Sequence, residues 1–169
     1  MSQHATQISA HSIQNSGTSR LAGAVWEATK PRITRLVTIT SGVGFILAAL
    51  PRRWDWPEVA VVAGAALVGT ALSAAGANAL NQLIERDRDS LMPRTCNRPL
   101  PEQRLTPRAA LAAGSLLAAV GVGLLWSLCG PAPALVSLAT VLIYLFLYTP
   151  LKPVTPHATL IGAVPGRDR

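Results

Sequence analysis

Charge is scarce in this chain. Of 169 residues only 15 are Lys or Arg and 8 are Asp or Glu, while half of the sequence is hydrophobic. A soluble domain of this length needs more charge to cover its surface, so a soluble globular fold is excluded. Cysteine is scarce too, with Cys96 and Cys129 alone. They match no metal-binding spacing, and a disulfide between them would cross the membrane in the topology argued below; both are read as ordinary thiols. The first 30 residues lack an apolar core, hold no acid before Glu27, and carry only Arg20 and Lys30 as bases. That fits a disordered tail better than a secretory signal and disfavours a transit peptide. Their Ser, Gln, Thr, Ala and His content predicts a disordered cytoplasmic tail over residues 1–30.

The apolar residues that remain come in long blocks rather than periodic stripes. Four blocks stand out, roughly 33–50, 59–77, 109–129 and 132–148. Runs of about 18 or more apolar residues read as membrane-crossing helices. The fold class expected is therefore all-α, a multi-pass transmembrane helical bundle of about four helices, over 33–50, 59–89, 109–129 and 132–148. Gly64, Gly69, Gly76, Gly114, Gly121 and Gly123 fall in the second and third blocks. Small residues let membrane helices approach closely, although an alanine-rich composition accounts for any single glycine equally well.

Basic residues orient the chain. Counted by segment they run four (Arg20, Lys30, Arg32, Arg35), two (Arg52, Arg53), six (Arg86, Arg88, Arg94, Arg98, Arg104, Arg108), zero, and three (Lys152, Arg167, Arg169). The positive-inside bias puts both termini and the second loop in the cytoplasm, with Trp54, Trp56 and Trp126 at the opposite headgroup layer. Arginines beside anionic lipid account for much of the net charge of +7, and no nucleic-acid partner is needed.

The most informative stretch is Asn78–Leu100, which holds three of the eight acids. Nothing breaks the second helix before Pro93, so it is expected to continue to about Asp89. Asn81, Glu85 and Asp89 are spaced i, i+4, i+8 on one face and rise about 12 Å. Asn78 sits one turn earlier, and Asp87 points the opposite way. Two carboxylates at i, i+4 repel, and a divalent cation between them reverses that sign. Mg²⁺ takes oxygen ligands and is commonly shared with substrate phosphates. Arg94 and Arg98 follow, and guanidinium groups grip phosphate oxygens bidentately. This set suits a metal-bound pyrophosphate. A solvated, self-neutralising run over Glu85–Asp89 remains the alternative on these residues alone, weakened by Asn78 and Asn81 lying so close to the bilayer.

Several motifs together resemble the UbiA-type membrane prenyltransferases, in the branch that farnesylates haem. They are Ala77-Asn78-Ala79-Leu80-Asn81 with Glu85 and Asp89; Met92-Pro93-Arg94-Thr95; Asn97-Arg98-Pro99-Leu100-Pro101; Tyr148-Thr149-Pro150-Leu151-Lys152; Thr155-Pro156; Thr159 to Gly166; and Lys30-Pro31-Arg32. The resemblance spans about residues 25–166. It implies a helical membrane fold around a central cavity and transfer of a farnesyl group from farnesyl diphosphate to a vinyl group of haem b, giving haem O. By the same resemblance Asn81, Glu85 and Asp89 are the catalytic polar face. Glu85 and Asp89 hold Mg²⁺ with diphosphate, and Arg94, Arg98 and Lys152 contact diphosphate. A bacterial inner membrane is the implied location. His157 is read as a solvated loop histidine rather than a haem ligand.

The chain departs from that pattern in length. Residues 31–166 read as the N-terminal half of a membrane prenyltransferase domain, and 167–169 as a tail outside it. A second acidic motif is missing after Glu102, where Asp168 is the only later acid. The expectation is a truncated or frameshifted enzyme with little or no activity alone. Rival readings are a related prenyltransferase with an aromatic acceptor such as 4-hydroxybenzoate, and a non-catalytic membrane bundle or transporter.

Overall fold

A computed structural model of the chain describes residues 19–50 and 55–151. Residues 19–28 form a first helix, α1. It is followed by α2 (Pro31–Ala49), α3 (Trp56–Asp89), α4 (Pro107–Cys129) and α5 (Pro131–Leu142). α5 runs on through a π-helical turn, Ile143–Tyr148, into Thr149–Leu151. The described residues contain four helices long and apolar enough to cross a membrane: Pro31–Ala49, Trp56–Asp89, Pro107–Cys129 and Pro131–Leu151. The all-α, multi-pass bundle expected from the apolar blocks is the fold observed.

Proline sets the start of each spanning helix, at the first or second position of α2, α3, α4 and α5. Its fixed φ suits the first turn, where a missing N–H costs nothing. Thr106 caps α4 by accepting a hydrogen bond from the Ala109 N–H at 3.2 Å. α4 and α5 are joined by Gly130 alone, at φ 95°, a backbone shape that strains a residue carrying Cβ.

α3 packs chiefly on α4, and then on α2. The α3–α4 seam is a backbone contact. A Cβ on Gly76 would lie 2.5 Å from both Ala118 N and Gly114 O, and one on Gly121 would collide with Ser73 N and lie 2.6 Å from Gly69 O. Hydroxyls tie other helices across the bundle, Ser73 to Ser137 at 2.7 Å and Ser41 to Thr70 at 3.1 Å. Such polar bridges and small residues hold helices together where lipid supplies no hydrophobic drive. α2 buries none of its residues and turns Ile39, Val43, Ile46 and Leu47 outward.

One expectation is corrected. Residues 19–28 are helical, not a disordered tail. Ala24 and Ala28 are buried against Ala79, Leu100, Leu105 and Ala110. The small face of α1 folds because the Leu100–Leu105 loop covers it, a non-local partner that the composition of the tail could not reveal. Residues 1–18 lie outside the described residues, as do residues 167–169.

Candidate active site

Five polar side chains line the C-terminal third of α3: Asn78, Asn81, Gln82, Glu85 and Asp89, all buried. At 100° per residue they fall within an arc of about 100°. The exposed Asp87 faces away, its side chain 86% accessible and paired with Arg86 at 3.1 Å.

The stripe divides into two edges with different partners. Asn78 Nδ2 donates to the Thr29 carbonyl at 3.2 Å and to Thr34 Oγ1 at 3.3 Å, and Gln82 Nε2 donates to the Ala28 carbonyl at 3.2 Å. These carbonyls lie at the end of α1, where no next turn serves them. Asn78 and Gln82 therefore anchor α1. Gln82 Oε1 is buried with no partner among the described residues.

The other edge carries the two carboxylates. Asn81 Nδ2 donates to Glu85 Oε2 at 3.0 Å, and Asn81 Oδ1 accepts from the Thr149 hydroxyl at 2.7 Å. Arg98 Nη1 meets Asp89 Oδ2 at 2.5 Å, with Asp89 nearly buried and Arg98 part-exposed. Thr95, also buried, donates its hydroxyl to the Asp89 carbonyl at 2.9 Å. Residues 91–105 form a run of turns rather than a helix, so Arg94 and Arg98 do not share a face. Arg98 folds back onto α3, whereas Arg94 is exposed and makes no ion pair among the described residues.

A second clasp fixes that loop. Arg104 binds Glu27 of α1 at 2.8 Å and Glu102 at 2.6 Å. The hydrogen bond to Glu27, then that to Glu102, raises the Arg104 guanidinium above its ordinary value, so it stays charged at any working pH. α1 and the Arg98 loop thus close over the end of α3 together.

Could these residues hold a hard cation? Among them no group of three His, Cys, Asp or Glu side chains converges. Glu85 and Asp89 are two carboxylates one turn apart, with an amide and a guanidinium as their neighbours. That is the donor set of Mg²⁺ held by one or two carboxylates and completed by substrate phosphate and water. It is not a closed protein cage.

The profile of the UbiA prenyltransferase family matches residues 36–167. The chain belongs to the UbiA prenyltransferase family. It is an integral multi-pass membrane protein of that family, by descent and by its four apolar helices. Among curated relatives it is similar to protoheme IX farnesyltransferase 1 of Pseudomonas fluorescens, 43% identical over 148 residues, covering 85% of this chain and 48% of that protein. It is similar to protoheme IX farnesyltransferase of Cytophaga hutchinsonii, 39% identical over 143 residues, with 85% and 48% covered. It also resembles the mitochondrial protoheme IX farnesyltransferase of Arabidopsis thaliana, 38% identical over 145 residues, with 86% and 33% covered. The chain spans about half the length of the bacterial relatives. No solved structure matches it significantly.

Within this UbiA family member, Asn81, Glu85, Asp89 and Arg98 come together, whereas Arg94 does not join them. Lys152 and His157 lie outside the described residues. Sequence reasoning passed over Gln82, Thr95 and Thr149 as individual residues. Gln82 had a signal, being i+4 from Asn78 on the same face. Thr149 had none beyond its place in the Tyr148–Lys152 motif, because a hydrogen bond across 68 positions leaves no spacing to read.

Proposed function

We propose that this UbiA-family chain carries the first half of a haem farnesyltransferase site, acting on farnesyl diphosphate and haem b at the cytoplasmic face of a bacterial inner membrane. The observation that carries this reading is the buried face Asn81–Glu85–Asp89 answered by Arg98 at 2.5 Å, at the C-terminal end of α3. Its curated relatives bear the name protoheme IX farnesyltransferase.

In this reading Glu85 and Asp89 hold Mg²⁺, and Arg98, Arg94 and Lys152 bind the diphosphate oxygens. The bound cation would supply Lewis-acid neutralisation of the departing diphosphate. Arg98, paired with Asp89, is placed to turn its guanidinium onto phosphate oxygens. As the C1–O bond of farnesyl diphosphate breaks, the bonding pair leaves on diphosphate, and the guanidinium stabilises that growing charge. The haem vinyl carbon then bonds to C1, and water adds hydroxide to the resulting cation and releases a proton. Haem b, farnesyl diphosphate and water thus give haem O and diphosphate. The apolar walls of the bundle delay capture of the farnesyl cation by water.

The experiment exchanges residues 25–166 of this chain for the corresponding segment of the Pseudomonas fluorescens relative and measures haem O formed from haem b. Retained synthesis that is lost on Glu85→Gln or Asp89→Asn supports the reading. Retained synthesis in both variants refutes the assigned site. Prenylation of 4-hydroxybenzoate instead of haem refutes the acceptor.

A further inference from the structure

We infer that Thr149 is a positioning residue for Asn81, delivered to it by the π-helical turn of α5; the inference rests on the metal–diphosphate reading of the α3 face. Thr149 is fully buried. Its hydroxyl donates to Asn81 Oδ1 at 2.7 Å, across 68 positions of sequence. The hydroxyl is equally close, 2.7 Å, to the Tyr144 carbonyl, which the Thr149 backbone N–H also serves; Asn81 Oδ1 can only accept, so the single hydroxyl proton must lie on the Asn81 side for that contact to be a hydrogen bond. At its other end the Asn81 amide gives Nδ2 to Glu85 Oε2 at 3.0 Å. The two contacts are mutually consistent. An acceptor carboxylate demands the NH₂ side, which leaves the oxygen for a donor, and Thr149 is that donor.

The register of α5 decides whether the hydroxyl arrives. A regular α-helix closes i to i+4, but Ile143–Tyr148 is π-helical and holds one residue more per turn. An uninterrupted α-helix would carry position 149 roughly 100° further round. Tyr144 and Tyr148 stack within this turn, ring centroids 5.6 Å apart and planes 14° off parallel, which braces the wider coil. Once Glu85 engages a cation, Thr149 is the contact that keeps the Asn81 amide from rotating. A rotated amide would present NH₂ where the site requires an oxygen. A single hydroxyl on α5 thereby sets the polarity of the α3 face.

The test uses the full chain in detergent micelles, with Thr149→Val, Thr149→Ser and, should the valine variant not fold, Thr149→Ala. Valine keeps the branched shape without the hydroxyl; serine keeps the hydroxyl without the methyl. The first readout needs no ligand. The side-chain amide resonances of Asn81, assigned by their disappearance in Asn81→Asp, stay a single sharp pair in the parent and in Thr149→Ser. They broaden or split in Thr149→Val. The second readout is Mg²⁺-dependent binding of farnesyl thiodiphosphate, expected to weaken about tenfold in Thr149→Val and by less than about twofold in Thr149→Ser. Unchanged amide resonances in Thr149→Val overturn the inference. So does a serine variant as weak as the valine one, which would make the effect one of packing. A parent that binds no Mg²⁺–diphosphate even with residues 25–166 set into the full-length Pseudomonas fluorescens relative refutes the diphosphate reading, and with it the purpose assigned to Thr149, whereas the amide resonances alone decide the coupling to Asn81.

Discussion

Alanine at Gly76 or Gly121 is expected to destabilise the bundle, while alanine at Gly64 or Gly123 is expected to stabilise it. All four are helical glycines, so the helix-propensity gain from adding a methyl is the same in kind, about 0.5–1 kcal/mol. What differs is the space. At Gly64 and Gly123 a new Cβ meets nothing within 4 Å, so the gain stands alone. At Gly76 it meets backbone on the opposing helix, Ala118 N and Gly114 O at 2.5 Å, and backbone cannot swing aside as a side chain can. The two helices must part, which costs about 1–3 kcal/mol for overpacking, at the upper end here because the obstacle is main chain. Gly69 is intermediate, its nearest obstacles being the Leu125 side chain at 2.8 Å, which can shift in part, and the Gly121 carbonyl at 3.0 Å, farther than the backbone facing Gly76. The order of stability is therefore Gly123→Ala and Gly64→Ala above the parent, Gly69→Ala near or slightly below it, and Gly76→Ala and Gly121→Ala lowest. The assay is reversible unfolding in mixed micelles, titrated with sodium dodecyl sulfate and followed by circular dichroism. Equal unfolding midpoints for Gly76→Ala and Gly123→Ala would refute the close α3–α4 contact.

Other perturbations separate the roles of neighbouring charges. Arg98→Gln strands the nearly buried Asp89 carboxylate and should cost about 1–3 kcal/mol, a figure kept low because Arg98 is part-exposed; Asp89→Asn in the same chain should recover much of it, as read by the same unfolding titration. Glu27→Gln removes one arm of the exposed Arg104 clasp and should leave the melting temperature almost unchanged, yet increase protease cleavage between residues 19 and 30, most visibly at low salt. Gln82→Met strands the Ala28 carbonyl but also removes a buried oxygen with no donor among the described residues, so the net cost should fall at the low end of about 1–3 kcal/mol; a much larger loss of folded protein would contradict that assignment.

Much of this architecture was legible in the chain. Apolar blocks of spanning length announced the four long helices, and the i, i+4, i+8 spacing put Asn81, Glu85 and Asp89 on one face with Asp87 turned away. The continuation of α3 to Asp89 followed from the absence of any helix breaker before Pro93. Features that depend on distant partners were not legible. α1 is too short to signal itself, and its alanines are buried only because Leu100 and Leu105 shelter them. Arg94 and Arg98 were both expected to answer the acidic face, but Pro93 and Pro99 lie in a compact run of turns that brings back only Arg98. Thr149 depends on a π turn, whose extra residue no hydrophobic period reveals.

The length of α3 has a consequence for the depth at which its polar face lies. No Asp, Glu, Lys or Arg lies between Glu58 and Glu85. That charge-free stretch is about 39 Å long, against a hydrocarbon layer of about 30 Å. The excess must be met by tilt, or by leaving the last turns before Glu85 among the headgroups. Because span and polar face share one unbroken rod, the depth of Glu85 is set by hydrophobic matching rather than by a loop. An amphiphile with a long tail and an anionic head partitions to the same level by the same energetics. It can reach Arg98 by diffusing sideways in the leaflet, head already at the right height and tail never leaving the oil.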